Sequence, residues 1–164
     1  VQKYAFNYAI SNSYDYIIML HGDGQYLPEK LPDFIKEFND DNLDGVFGSR
    51  MKSYSGALKG GMPLYKFLGN IGLTFIQNLI LGSKMSEFHS GYRSYKVDSL
   101  KIIEFEKMAD YYHFDTEIII EFLKKKLNIL EIHIPTFYGD EVSHLKSVPY
   151  GLKVLLSTIK SKFK

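Results

Sequence analysis

A chain of 164 residues with 45% apolar and 24% charged side chains is long enough for one packed domain of ordinary globular composition. Its 20 basic and 19 acidic residues nearly cancel, which excludes a global field for nucleic acid, and the absence of cysteine excludes a disulfide framework and thiolate chemistry and suits a reducing compartment. No apolar run approaches the roughly 18 residues of a membrane-spanning helix. No secretory leader is visible, and a helical pattern already runs at Val1, so the N-terminus reads as a cut.

In chain order, residues 1–12 read as the end of a helix, with Tyr4, Ala5, Tyr8 and Ala9 at helical spacing. Residues 16–20 (Tyr-Ile-Ile-Met-Leu) form a short continuous apolar run, the mark of a strand buried on both faces. The run stops at a loop, His21-Gly22-Asp23-Gly24-Gln25. Pro28 opens a helix to about Phe38, with Leu31, Phe34, Ile35 and Phe38 on one face. Residues 45–48 read as a second buried strand running into Ser49-Arg50. Residues 52–61, rich in Gly, Ser and Lys, have the composition of a mobile lid. A long apolar helix is predicted over 63–81, an extended stretch over 88–97 and a helix over 98–108. Asp115 begins a helix to about Lys126, 129–134 alternates as a strand, and 149–164 closes with an amphipathic helix. Strands alternating with helices imply an α/β layered sheet, in which ligands sit at the carboxyl ends of strands. Asp23 and Arg50 both fall just past such ends.

The sharpest chemical signal is Asp23 between two glycines at a strand end, with Gln25 beside it. Hard divalent cations take one or two protein oxygens while diphosphate oxygens and water complete the octahedron. Asp23 and the Gln25 amide suit that role; a plain turn in which Asp and Gly serve geometry is the alternative. Arg50 offers a bidentate fork to phosphate, or a salt-bridge partner. Ser90-Gly91 gives a loop with a hydroxyl and exposed amides, and Arg93 can meet an anion. Asp115 is equally a helix N-cap and a candidate acid or base.

The string His21-Gly22-Asp23-Gly24-Gln25 followed by Pro28-Glu29 resembles the metal-binding motif of family-2 glycosyltransferases, above all the polyprenyl-phosphate mannose and glucose synthases, which carry Asp-x-Asp-Gly-Gln. Three further segments resemble the family in the same order: Asp44 to Arg50, Asn70 in the helix after the lid, and Glu87-Phe88-His89-Ser90-Gly91-Tyr92-Arg93. Phe114 to Ile118 and Glu131 to Pro135 continue the likeness, which covers essentially the whole chain. It implies an α/β, Rossmann-like GT-A fold, a three-layer sheet with flanking helices, of which residues 1–164 would be the C-terminal portion of one catalytic domain. The nucleotide-binding strand and loops would lie upstream, so this portion alone would be inactive.

The resemblance further implies Mg²⁺ or Mn²⁺ held by Asp23 and Gln25, with His21 at the position of the first Asp. An imidazole there favours Mn²⁺. It also implies inverting transfer from a nucleotide-sugar donor to a lipid-phosphate or glycan acceptor of the cell envelope. Asp23, Glu87 and Asp115 are the catalytic candidates, with Glu87 the first candidate for a general base. Arg50, Ser90, Gly91, Arg93 and Ser143 are the substrate-binding candidates. The loop from Tyr138 to Lys146 departs from the family by lacking its Arg, which leaves the acceptor class open. A non-catalytic nucleotide- or sugar-binding module and a nucleotidyltransferase are the rival readings. Finally, Leu152, Leu155, Leu156, Ile159 and Phe163 recur at helical spacing, with five lysines and no acid beyond Glu141. Such a helix suits peripheral contact with the cytoplasmic membrane face; docking of its leucines on the sheet is the alternative.

Overall fold

The computed structural model describes residues 1–139 and 147–163. Helices α1 (Gln2–Ser11), α2 (Leu31–Glu37), α3 (Tyr54–Lys59), α4 (Leu64–Leu81), α5 (Val97–Ile102), α6 (Phe114–Lys124) and α7 (Ser147–Ser161) surround four strands. The strands are β1 (Tyr16–Met19), β2 (Gly45–Ser49), β3 (Arg93–Lys96) and β4 (Ile129–His133), in the spatial order β1-β3-β2-β4. β3 is antiparallel to β1 and to β2, whereas β2 and β4 are parallel. β1, β2 and β4 therefore run the same way and β3 runs against them. This places the carboxyl ends of three strands and the amino end of β3 at one edge of the sheet.

Alternation along the strands sends side chains to two cores, and helices cover both faces, giving three layers. Ile17, Phe47, Tyr95 and Ile129 pack with Phe6 of α1, Leu100 of α5 and Ile118 and Phe122 of α6. On the opposite face Ile18, Val46 and Ile132 pack with Phe34 and Phe38 around α2. Asp44 pins the entry to β2: its carboxylate accepts from Ser99 Oγ at 2.5 Å and from the Asn128 amide at 2.7 Å. β2 is buried throughout, as its Gly-Val-Phe-Gly composition predicts.

Four expectations are corrected. β1 is an edge strand among the described residues and is half-open to solvent, not buried on both faces. Its apolar run instead borders an open groove with Tyr4, Tyr8 and Tyr14. The predicted lid over 52–61 contains α3, whose N-cap Ser53 accepts from the Gly56 amide at 3.1 Å, while Ala57 and Met62 are buried against Phe67 of α4. Only Arg93–Lys96 of the extended 88–97 stretch is a strand, and the predicted 98–108 helix is the shorter α5 followed by one 3₁₀ turn. α4 ends where Gly82 takes φ 65°, a left-handed cap that a side chain would strain.

Candidate functional site

At the shared sheet edge, β1 delivers the loop 21–25, β2 delivers Arg50, the stretch before β3 delivers residues 86–91, and the chain beyond β4 delivers Tyr138. A bridge between Tyr26 and Thr136 ties the first of these to the last, and the Phe137 amide donates to the Gln25 carbonyl at 3.2 Å. Sequence-distant segments thus meet in one place.

Asp23 closes its own turn: Oδ1 accepts from the Gln25 amide at 3.0 Å. Its Oδ2 lies 3.9 Å from His21 Nδ1, and both side chains are a little under half exposed. The His21 ring rests against Gly91 so closely that a methyl at that position would overlap it. The Gly91 amide in turn donates to the buried Tyr26 hydroxyl at 3.2 Å. Ser90 Oγ donates to the Gly48 carbonyl, which fastens the loop to β2. No group of three His, Asp or Glu side chains gathers as a closed metal cage among the described residues. The pair present, one carboxylate with an oxygen turned toward an imidazole at a solvent-open strand end, fits a cation that draws its remaining ligands from water and diphosphate.

Arg50 and Glu87 form a buried ion pair. The Glu87 carboxylate accepts from Arg50 Nε at 2.7 Å, from the Arg50 amide at 2.8 Å and from Asn70 Nδ2 at 2.6 Å. Burial pushes its pKa up, but the Arg50 charge and these hydrogen bonds outweigh burial and hold it below the usual carboxylate range. Arg50 also donates to the His89 carbonyl at 3.0 Å and to the Tyr138 hydroxyl at 2.8 Å. Glu87 therefore departs from its expected role. Its side chain has no exposed surface, so it cannot reach an acceptor hydroxyl from where it stands, and its contacts orient Arg50.

Arg93 also differs from expectation. It is 1% exposed and donates to the carbonyls of Asp115 at 2.7 Å and Phe88 at 2.9 Å, with its guanidinium over the Phe47 ring. That enclosure makes it a brace between β3 and α6, without the open face a phosphate contact needs. Asp115 is the second residue of α6, whose N-cap is His113, so it does not stand at the cap position the sequence offered it. Asp115 lines a cleft of about 550 Å³ that also holds His21, Lys3, Tyr111, Tyr112 and Phe114, although its Oδ1 is buried without a hydrogen-bond partner. Of the two candidate bases, Asp115 is the one that shares an open space with the His21–Asp23 end. Ser143 lies outside the described residues.

Several residues make contacts at the site that the sequence did not signal. Tyr26 and Tyr138 place their hydroxyls on Gly91 and Arg50, yet a lone tyrosine in a loop carries no distinguishing signal. Glu131 accepts from the amides of Ser86 at 2.7 Å and Glu87 at 3.1 Å and so sets the loop that presents the ion pair; its place in an alternating strand hid this. His89 hydrogen-bonds the Tyr150 hydroxyl of α7 at 3.2 Å, and burial pushes its pKa down to about 4.

Residues 2–103 match the family model described as glycosyl transferase family 2. The chain is 32% identical over 141 residues to a UDP-N-acetylglucosamine--dolichyl-phosphate N-acetylglucosaminyltransferase of Methanococcus voltae, covering 85% of this chain and 55% of that protein. It is 31% identical over 150 residues to a low-salt glycan biosynthesis hexosyltransferase of Haloferax volcanii, covering 90% of this chain and 35% of the relative. An undecaprenyl-phosphate mannosyltransferase of Micrococcus luteus is 24% identical over 142 residues, with coverage of 86% and 56%. The chain thus spans little more than half the length of the first of these relatives.

Proposed function

The chain belongs to glycosyl transferase family 2, and from that premise we propose that it forms the metal- and diphosphate-handling portion of a hexosyltransferase that takes sugar from a nucleotide-sugar donor. The observation that carries this reading is the convergence of the Asp23–His21 pair, the Gly91 loop and the Glu87-anchored Arg50 at one strand-end edge. In this reading residues 1–164 are one part of a single catalytic domain, and the base-binding elements come from the rest of the polypeptide.

Asp23, with Gln25 and His21 beside it, would hold Mg²⁺ or Mn²⁺ against the donor diphosphate. The cation supplies charge neutralisation for the leaving nucleotide. Arg50, fixed by Glu87, the Tyr138 hydroxyl and the His89 carbonyl, adds a guanidinium whose orientation costs no reorganisation during reaction. Inversion in a single displacement needs the acceptor on the opposite side of the sugar from the diphosphate. A phosphate acceptor is already ionised near neutral pH and needs no base, whereas a hydroxyl acceptor needs one, and Asp115 in the His21 cleft is placed to serve. The named relatives make a lipid phosphate the first acceptor to try and a glycan the second, with the work done at the cytoplasmic membrane face.

The test is transfer by the full-length protein from radiolabelled nucleotide-sugars to polyprenyl phosphate. Asp23→Ala should abolish transfer without lowering the unfolding midpoint, because its side chain is near half exposed. Near-normal transfer by that variant at saturating metal overturns the assignment.

A further inference from the structure

α4 is built inside out. Its polar Asn70, Thr74 and Gln77 are buried, while Leu64, Leu68, Phe75 and Leu79 are 58–73% exposed. A surface helix of a water-soluble domain ordinarily does the reverse. α7 repeats the arrangement beside it. Gly151, Val154 and Thr158 face inward, with Gly151 against Leu73 and Gln77 Nε2 donating to Thr158 Oγ1 at 3.3 Å. Leu152, Leu156 and Ile159 stay exposed. The leucine stripe of α7 therefore does not dock on the sheet; a different face of the helix packs, and it packs on α4 and α6. Single exposed leucines need no explanation, but a run of them along two packed helices marks an interaction surface.

The charges on these helices say what covers it. From Met51 to Ser86 there is no Asp or Glu, nor is there any in α7. The only charged side chains on α3, α4 and α7 are Lys59, Lys66, Lys153 and Lys160. α3 packs on α4 and α4 on α7, so these acid-free segments share one side of a chain whose total is only +1. A second copy of the same face would bring lysines against lysines. An apolar surface whose own charged side chains are all lysine complements an anionic lipid surface, into which leucine and phenylalanine insert while lysine stems reach the headgroups. No helix of the described residues is long and apolar enough to cross a membrane, so the contact is lateral.

We propose that the exposed face of α4 and α7 lies on the surface of an anionic lipid bilayer. This takes up the lipid side of the proposed transfer reaction, but it rests on the composition of two helices, so vesicle binding and transfer can fail separately.

The chain contains no tryptophan, so one introduced indole reports one position. Phe75→Trp on α4 and Ile35→Trp on α2, both at exposed positions, are compared on phosphatidylcholine vesicles with and without phosphatidylglycerol. The proposal expects blue-shifted emission and quenching by brominated lipid for Phe75→Trp only. Partition should be at least about tenfold stronger on anionic vesicles and should be lost in high salt. Leu68→Glu or Leu156→Glu should lose binding while keeping the circular dichroism of the parent. Equal responses of the two reporters, or equal binding to neutral vesicles, overturn it. So does a blue shift that grows with protein concentration without vesicles, because the face then covers another copy of the chain. Loss of transfer in the Asp23→Ala variant leaves this binding unchanged.

Discussion

The Glu87 carboxylate holds Arg50 at both its guanidinium and its main-chain amide, so side chain and backbone of one residue are fixed by a single partner. A buried ion pair owes its cost to desolvation, and removing one partner leaves the other charge stranded. Glu87→Gln should therefore lower the unfolding free energy by about 3–5 kcal/mol, read by urea titration. Arg50→Met should cost a similar amount, and the double variant should lose much less than the sum. Additive losses would show that the two residues act independently.

The position of His21 makes metal preference testable. Its imidazole stands within 3.9 Å of Asp23 Oδ2, and imidazole suits Mn²⁺ better than Mg²⁺. His21→Asp should raise the Mg²⁺-supported rate relative to the Mn²⁺-supported rate. Titration calorimetry with nucleoside diphosphate present should show the same change of order. An unchanged ratio places His21 outside the metal's reach.

Gly91→Ala would put a methyl into the His21 ring. That ring is partly exposed and can swing away, so the stability cost should stay under about 1 kcal/mol, below the usual range for overpacking. The effect should appear instead in the site, as displaced His21 imidazole resonances and weakened metal binding. Combining it with His21→Ala should remove the clash and leave only the effect of losing His21.

His89 gives the fold an acid-sensitive point. Its pKa is 6.5 in an unconstrained chain and about 4 when folded, because burial penalises the charged ring. The unfolded chain therefore binds the proton first, and stability falls as pH drops from about 6.5 to about 4, then levels for this group. The full difference is worth roughly 3 kcal/mol. Glu87 adds its own loss only below its ordinary value of 4.5, so the window above that belongs to His89. His89→Asn should flatten the stability profile between pH 6.5 and 4.5. A slope identical to the parent would assign the sensitivity elsewhere.

The strands and helices were legible where one physical cause dominated. β2 reads directly from Gly-Val-Phe-Gly, because both faces of its run are enclosed. The same pattern misled at β1, since an apolar run records what the strand packs against without recording whether a neighbouring strand completes its edge. α3 hid in a Gly- and Ser-rich stretch because it is held by tertiary packing of Ala57 and by the Ser53 cap, with little help from propensity. In the candidate site, Asp23 and Arg50 showed themselves by standing past strand ends. What Glu87 and Arg93 do depends on burial and on partners 37 and 22 positions away, which no local pattern encodes.

The three inward contacts of α7 bear on the order in which the molecule can be completed. Tyr150 holds His89, Ser157 holds Glu117 and Thr158 holds Gln77, across 61, 40 and 81 positions of chain. Contacts so distant close late, and a chain emerging from the ribosome makes every one of the earlier partners before it makes α7. The His89 ring, on the loop whose carbonyl receives Arg50, therefore gains its Tyr150 partner only after α7 has been synthesised and has docked. A chain cut short of residue 147 would keep the bonds from Ser90 to Gly48 and from Glu131 to the 86–87 amides but would lose the hydroxyl that meets His89. The last touch on this loop therefore comes from a helix made long after every other segment that holds it.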